Sequence, residues 1–236
     1  MQEINWIKNS LPFLNYLHCW LAELPELPLE SVITSPGTTA VLSVDVIKGF
    51  CVTGPLASPR VNRIVEPVVD ILQRCWDHGE HNLLLIQDAH EPDAVEFGQF
   101  PPHCIRGTEE AESVAQIQAL PFYEDLPVFE KNSIQSGLNT GLPRWLREHP
   151  EMETFIVVGD CTDLCTYQLA MHLKLEANAN QTQRRVVVPA NAVDTYDMPV
   201  ETALEAGALP HDADLLHAIF LYHMNLNGIE VVSRLT

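Results

Sequence analysis

The chain has 236 residues, of which 13 are basic and 32 acidic, giving a net charge of −19 with histidine neutral, and its composition is 46% hydrophobic and 19% charged. This is the make-up of one globular domain with enough apolar side chains for a substantial core, and the acidic excess argues against nucleic-acid or anionic-membrane partners, whose phosphates it would repel. Six cysteines with no CxxC pair, in a chain of this length, read as the reduced thiols of a cytoplasmic protein rather than a disulfide framework.

The first stretch, Met1 to Leu21, is interrupted by Glu3, Lys8, Asn9, Pro12, Asn15 and His18, which predicts neither a signal peptide nor a membrane span. Ile4, Ile7, Leu11, Leu14 and Leu17 recur at helical spacing with Trp6 and Trp20 nearby. They predict one or two short helices packed on the main body or on a second subunit, so residues 1–37 are expected to form an extension to a domain of residues 38–236. Pro25, Pro28 and Pro36-Gly37 mark an irregular connection.

From Thr39 the pattern alternates. Val41 to Val46 reads as a strand, Val61 to Trp76 as a helix, Leu83 to Ile86 as a strand, Val128-Phe129 as a strand and Leu142 to Arg147 as a short helix. Phe155 to Val158 is a strand that runs into Gly159, and a helix follows through Tyr167, Leu169, Met171 and Leu173. Val186 to Val188, Asp212 to Met224 and Gly228 to Val232 then read as strand, helix and strand. Nearly all-apolar strands separated by helices predict an α/β fold, a three-layer α/β/α arrangement around a mainly parallel sheet of about six strands.

In such a sheet ligands bind beyond the carboxyl ends of the strands. The residues there are Asp45, then Asp88 and His90, then Lys131, then Cys165, and no glycine-rich phosphate loop stands at any of these turns. Cys165 lies in the first turn of its helix, behind a Thr162-Asp163 pair suited to an N-cap, where the helix dipole and free amides favour a thiolate. Taken singly, each residue has a plainer reading: Cys165 as a small buried side chain, Asp45 as a carboxylate capping a helix, Lys131 as a solvated ammonium.

Val44-Asp45-Val46 with Phe50-Cys51, Asp88-Ala89-His90, Phe100-Pro101-Pro102-His103-Cys104, Phe129-Glu130-Lys131, and Gly159 with Thr162-Asp163 and Cys165 together resemble, in this order, the isochorismatase-like cysteine hydrolases, and among them most closely the nicotinamidase/pyrazinamidase group. The resemblance runs from about Thr39 to the C-terminus. It implies Cys165 as nucleophile, Asp45 as the base that takes its proton and later protonates departing ammonia, and Lys131 as the charge that balances them. It also implies an oxyanion hole of the Cys161 and Cys165 backbone N–H groups and a cis peptide bond between Asp160 and Cys161.

A single divalent metal is implied at Asp88, His90, Glu96 and His103, with Asp93 as the rival of Glu96; oxygen and imidazole ligands suit zinc first, and iron or manganese also. Phe50 and Phe100 fall where the family packs a substrate ring, though each also fits a plain core position. The activity implied is hydrolysis of nicotinamide to nicotinate and ammonia through a thioester, by a homo-oligomer. The alternatives are a metal-free relative acting on a carbamoyl or ureido substrate, and a catalytically silent binding protein of the same fold. The Cys161 thiol reads as a residue chosen for size. His18, His78, His81, His149, His172, His211, His217 and His223 show no ligand spacing and read as surface or helix residues.

Overall fold

A computed structural model describes residues 5–35 and 37–236. Ile4 of the N-terminal apolar set and Pro36 of the connecting turn lie outside the described residues. The strands are β1 (Glu26–Leu27), β2 (Thr39–Val44), β3 (Leu83–Asp88), β4 (Val128–Lys131), β5 (Thr154–Asp160), β6 (Arg185–Pro189), β7 (Val193–Asp194), β8 (Glu230–Val232) and β9 (Arg234–Leu235). The helices are α1 (Trp6–Ala22), α2 (Lys48–Cys51), α3 (Pro59–Asn62), α4 (Val65–Asp77), α5 (Ala115–Gln118), α6 (Leu142–Glu148), α7 (Cys165–Ala179), α8 (Val200–Ala206) and α9 (Ala213–Leu226).

The main sheet runs β4-β3-β2-β5-β6-β8 with every pairing parallel, and β7 adds a seventh, short strand beside the carboxyl end of β5. β1 and β9 form a separate two-stranded parallel sheet, which the sequence pattern did not reveal because two residues carry no periodicity. The helix expected from Val61 to Trp76 is two helices, α3 and α4, with Arg63 and Ile64 between them.

Period-two alternation explains why the strands are apolar throughout. Val41, Leu83, Leu85, Ile156 and Val158 point to the layer holding α4, whereas Leu42, Val44, Leu84, Ile86 and Val157 point to the layer holding α6, α7 and α9. Both faces are thus covered. The N-terminal helix α1 lies on α9, where Phe13, Tyr16 and Trp20 meet Tyr222 edge to face at 5.3–5.9 Å, while Trp6, Ile7 and Leu11 remain exposed. Among the described residues no helix is long and apolar enough to cross a membrane.

The chain enters the sheet at β2, builds outward through β3 and β4, then returns to the other side of β2 as β5. The crevice at that reversal opens between the ends of β2 and β5, and this is where an open parallel sheet offers a binding site. Gly159 closes it: its φ is +116°, and a Cβ there would stand 1.9 Å from the Val44 carbonyl oxygen. Gly159→Ala is therefore expected to destabilise the fold by about 4 kcal/mol or more, since neither backbone can yield without breaking the central pairing; a thermal melt within a few degrees of wild type would contradict this.

Candidate active site

Asp45 directly follows β2 in the left-handed region, φ 55°, a conformation that aspartate tolerates better than most residues. Its N–H donates to Ile86 O at 2.8 Å and its Oδ1 accepts from the Asp88 N–H at 2.8 Å, so the carboxyl is turned beneath β3. Lys131, the last residue of β4, is buried with its Nζ 2.7 Å from Asp45 Oδ2, 2.6 Å from Asp88 Oδ1 and 3.4 Å from Cys165 Sγ. The plainer readings fail here: Asp45 caps no helix and Lys131 meets no solvent.

Two carboxylates share one ammonium, and burial decides how the charge is held. Burial raises Asp45, the Asp88 charge raises it further against Lys131, and its carboxyl sits at about 6. For Asp88 burial also acts upward, but Lys131 outweighs it and holds the group below the usual carboxylate range. Burial works against a charged Lys131, yet Asp45 and Asp88 together keep it protonated.

Cys165 opens α7 and is 5% exposed. The helix start does not leave it a resting thiolate: burial pushes the thiol up, and Asp45 and Asp88 add to this against the pull of Lys131. Cys19 is the exposed cysteine of the six, and the other five are buried. The Thr162-Asp163 pair does not cap α7 either. Leu164 holds the N-cap position without a side-chain bond, because Thr162 Oγ1 turns to His217 Nδ1 at 2.8 Å and Asp163 Oδ2 to His211 Nε2 at 2.8 Å.

The Asp160-Cys161 peptide bond is cis. Cys161 O accepts from the N–H groups of Leu164 and Thr166 at 3.0 and 3.2 Å, whereas the Cys161 and Cys165 N–H groups enter none of the loop's backbone hydrogen bonds among the described residues. Two free amides at the start of a helix are suited to an oxyanion.

Beside this cluster, Asp88, His90 and His103 bring one ligand atom each within 4.8 Å of one another, all buried. His103 is returned to His90 by a parallel bridge between His90 and Ile105, in which the His90 N–H donates to Cys104 O and the Arg106 N–H to His90 O, both at 2.9 Å. The residues fit a metal by their outer contacts. His103 Nδ1 lies 2.8 Å from Pro101 O and His90 Nδ1 3.0 Å from Asn132 Oδ1, which turns both Nε2 atoms to the cluster, where the buried His90 Nε2 stands 3.4 Å from Asp88 Oδ1. Glu96 is half-buried in the cavity wall but stands outside the three-residue cluster, and Asp93 is exposed and does not line this cavity. Of the two expected carboxylates, Glu96 is the one on the cavity wall.

The cavity between cluster and surface is small, about 40 Å³, and is lined by Asp45, Phe50, Leu56, Val61, Asp88, Glu96, Phe100, His103, Ile134, Asp160, Cys161, Leu164, Cys165 and Tyr196. Phe50 and Phe100 lie 5.6 and 6.2 Å from the His103 ring, so both face the metal side of the cavity. Leu56, Val61, Ile134, Leu164 and Tyr196 were not legible beforehand, because they sit in loops and short helices whose approach only the folded chain brings about. His211 was also misread as a surface or helix residue. It is 8% exposed, donates from Nε2 to Asp163 Oδ2 and from Nδ1 to Tyr196 O, both at 2.8 Å, and stacks on the Tyr196 ring at 3.9 Å. It thereby ties the Tyr196 wall to the turn that carries Cys165.

Burial works against the charge of His211, but Asp163, the Tyr196 carbonyl and Asp197 outweigh it and raise its pKa; burial alone would raise Asp163, and His211 lowers it. A raised histidine stabilises the fold fully below its unfolded value near 6.5 and loses the effect as pH rises through the folded value, whereas the lowered aspartate loses its share as pH falls below about 4. His211→Gln is expected to cost about 1–2 kcal/mol near pH 5.5, with the deficit shrinking above neutrality and again below pH ~4. Melting curves of both proteins across pH read this directly; a deficit independent of pH would contradict it.

Fold and cluster together define a doubly wound α/β protein with a buried acid, lysine and thiol at its switch point. The sequence matches the Isochorismatase domain over residues 39–210, and the chain belongs to that family. It is 28% identical over 220 residues to Nicotinamidase 1 of Arabidopsis thaliana, covering 87% of this chain and 89% of that protein, and 26% identical to the nicotinamidase of Escherichia coli (strain K12) over 53% of this chain and 71% of that one. Among solved structures it is similar to the pyrazinamidase/nicotinamidase of Streptococcus mutans UA159 (TM-score 0.65, 21% identity, 82% of this chain and 99% of that one). It is also similar to the N-carbamoylsarcosine amidase of Thermoplasma acidophilum (TM-score 0.61, 20% identity, 83% and 95%). At these identities the structural likeness is one of fold.

Proposed function

We propose that the protein hydrolyses nicotinamide to nicotinate and ammonia through a thioester on Cys165, serving pyridine-nucleotide salvage. The observation that carries this reading is the meeting of Asp45, Asp88 and Cys165 within 3.4 Å of Lys131 Nζ, beside the Asp88-His90-His103 cluster and in one cavity. Cys165 Sγ attacks the carboxamide carbon as Asp45 takes the thiol proton, which a carboxyl at about 6 can accept and give back near neutral pH. The carbonyl oxygen, now negative, faces the Cys161 and Cys165 amides. Asp45 passes the proton to the nitrogen, ammonia leaves, and the thioester remains. Water then attacks that carbonyl with Asp45 again as base, releasing nicotinate and restoring the thiol.

Lys131 keeps Asp45 and Asp88 charge-balanced throughout and holds Asp45 against Cys165. A divalent ion held by Asp88, His90 and His103, with Glu96 in reach, would supply a Lewis-acid anchor for a pyridine nitrogen. Zinc suits this set best. Phe50 and Phe100 then pack on the ring, and the exposed Trp6, Ile7 and Leu11 of the 1–37 extension seal a homo-oligomer in the cytoplasm.

Ammonia release from nicotinamide, pyrazinamide and a set of carbamoyl and ureido compounds, measured together with elemental analysis, tests the reading. Turnover of nicotinamide with about one divalent metal per chain is expected. Ammonia from carbamoyl or ureido compounds alone, by a metal-free protein, would replace it with the metal-free reading, and no ammonia from any compound would leave a binding protein.

A further inference from the structure

Of the carboxyl groups buried in the cavity wall, Asp45 and Asp88 share Lys131, whereas Asp160 meets no cation among the described residues. It is 1% exposed. Its Oδ2 accepts from Cys161 Sγ at 3.6 Å, and its Oδ1 is buried with no hydrogen-bond partner. Packing does not call for a carboxyl there. Val61, Leu56 and Leu164 share that wall, and a valine in place of Asp160 would end β5 without removing a carboxyl from water.

Asp160 is the residue before Cys161, whose amide faces the oxyanion in the mechanism above. It also ends the strand next to the one that delivers Asp45, since Val44 and Gly159 are register partners. A primary carboxamide held with its oxygen at the Cys161 and Cys165 amides presents two N–H bonds on its other side. One faces Asp45, which must reach that nitrogen to protonate it. The second needs an acceptor, and Asp160, a lining residue whose Oδ1 has no hydrogen-bond partner and no cation, offers one. Either protonation state of a carboxyl retains an accepting lone pair.

We propose that Asp160 is a specificity-determining residue whose free carboxyl oxygen accepts a hydrogen bond from the NH2 group of a primary carboxamide, so that the pocket selects primary amides over esters of the same acid. This rests on the reading of Cys165 as an amide-cleaving nucleophile. An ester brings lone pairs and no N–H to the same place and leaves Oδ1 unpaired, and a site built to hydrogen-bond an N–H discriminates strongly against an analogue lacking it.

The test compares kcat/KM for nicotinamide and methyl nicotinate in the wild type, Asp160→Val and Asp160→Asn, with Asp160→Ala taking the place of valine should that variant not fold. The amide-to-ester ratio is expected to fall about 10- to 100-fold in the valine or alanine variant, through loss on the amide, and to stay within a few-fold in the asparagine variant, which keeps an acceptor. A ratio that does not move, or equal losses on both substrates, overturns the inference and leaves the proposed function standing. A wild type that spares nicotinamide but cleaves another primary amide corrects the substrate alone, and the same ratio is then read on that amide and its methyl ester. A wild type that cleaves no primary amide overturns both.

Discussion

Cys165→Ala is expected to abolish ammonia release from nicotinamide, with a loss of at least about 10⁴-fold, because no other thiol of the chain stands beside Asp45 and Lys131. The fold should remain intact. Cys165 packs with Leu169 and Val157 on the α7 side of the sheet, and removing one sulfur from that layer costs about 1 kcal/mol, within reach of local relaxation. Far-UV circular dichroism and the melting temperature check the second half, and ammonia assay the first. Activity in a folded Cys165→Ala protein would dismiss the thioester mechanism; Cys161, whose thiol is held up by burial and by Asp160, is the first place to look for a substitute.

The second large effect is on stability as well as rate. Lys131→Met removes the one cation that Asp45 and Asp88 share and leaves two buried carboxyls facing each other. Breaking a buried pair in this way costs about 3–5 kcal/mol, more than replacing both sides by neutral groups. The methionine variant is therefore expected to be inactive and to melt well below wild type, and adding Asp45→Asn to it should recover part of the loss by removing one of the stranded charges. A double variant less stable than Lys131→Met alone would show that Lys131 acts by packing and not by charge. The acid–lysine contact is thus a site feature that stability alone would not select, since burying three charges in a core is no route to a stable fold.

The strand ends were legible because an all-parallel sheet makes them so. Apolar runs announce buried strands, and the residues delivered to the crevice come at or just beyond the strand ends: Asp45 directly after β2, Asp88 and Lys131 as the last residues of β3 and β4, and Cys165 past the turn that follows β5. His103 came with its Pro101-Pro102 loop, whose return to His90 the structure makes through the bridge at Ile105. Tyr196, Ile134, Leu56 and the Asp163–His211 pair were not legible, since each depends on two segments far apart in the chain arriving at the same wall. His211 in particular has no ligand-spaced neighbour in sequence, and its partner is 48 residues away.

The protonation of Cys165 separates the two levels most clearly. A cysteine in the first turn of a helix sits in a local field that favours the thiolate, and local order is all that a sequence pattern describes. Burial and the two carboxylates are long-range facts of the folded chain. They raise the Cys165 thiol against the pull of Lys131. By itself the sequence determined the main sheet, its parallel sense, the residues at its carboxyl ends and the glycine at the end of β5. Only the tertiary structure decided that Cys165 rests as a thiol, that Asp160 carries a free carboxyl oxygen, and that His211 braces Tyr196, because each depends on which groups exclude water from which, and that is settled only when distant segments pack.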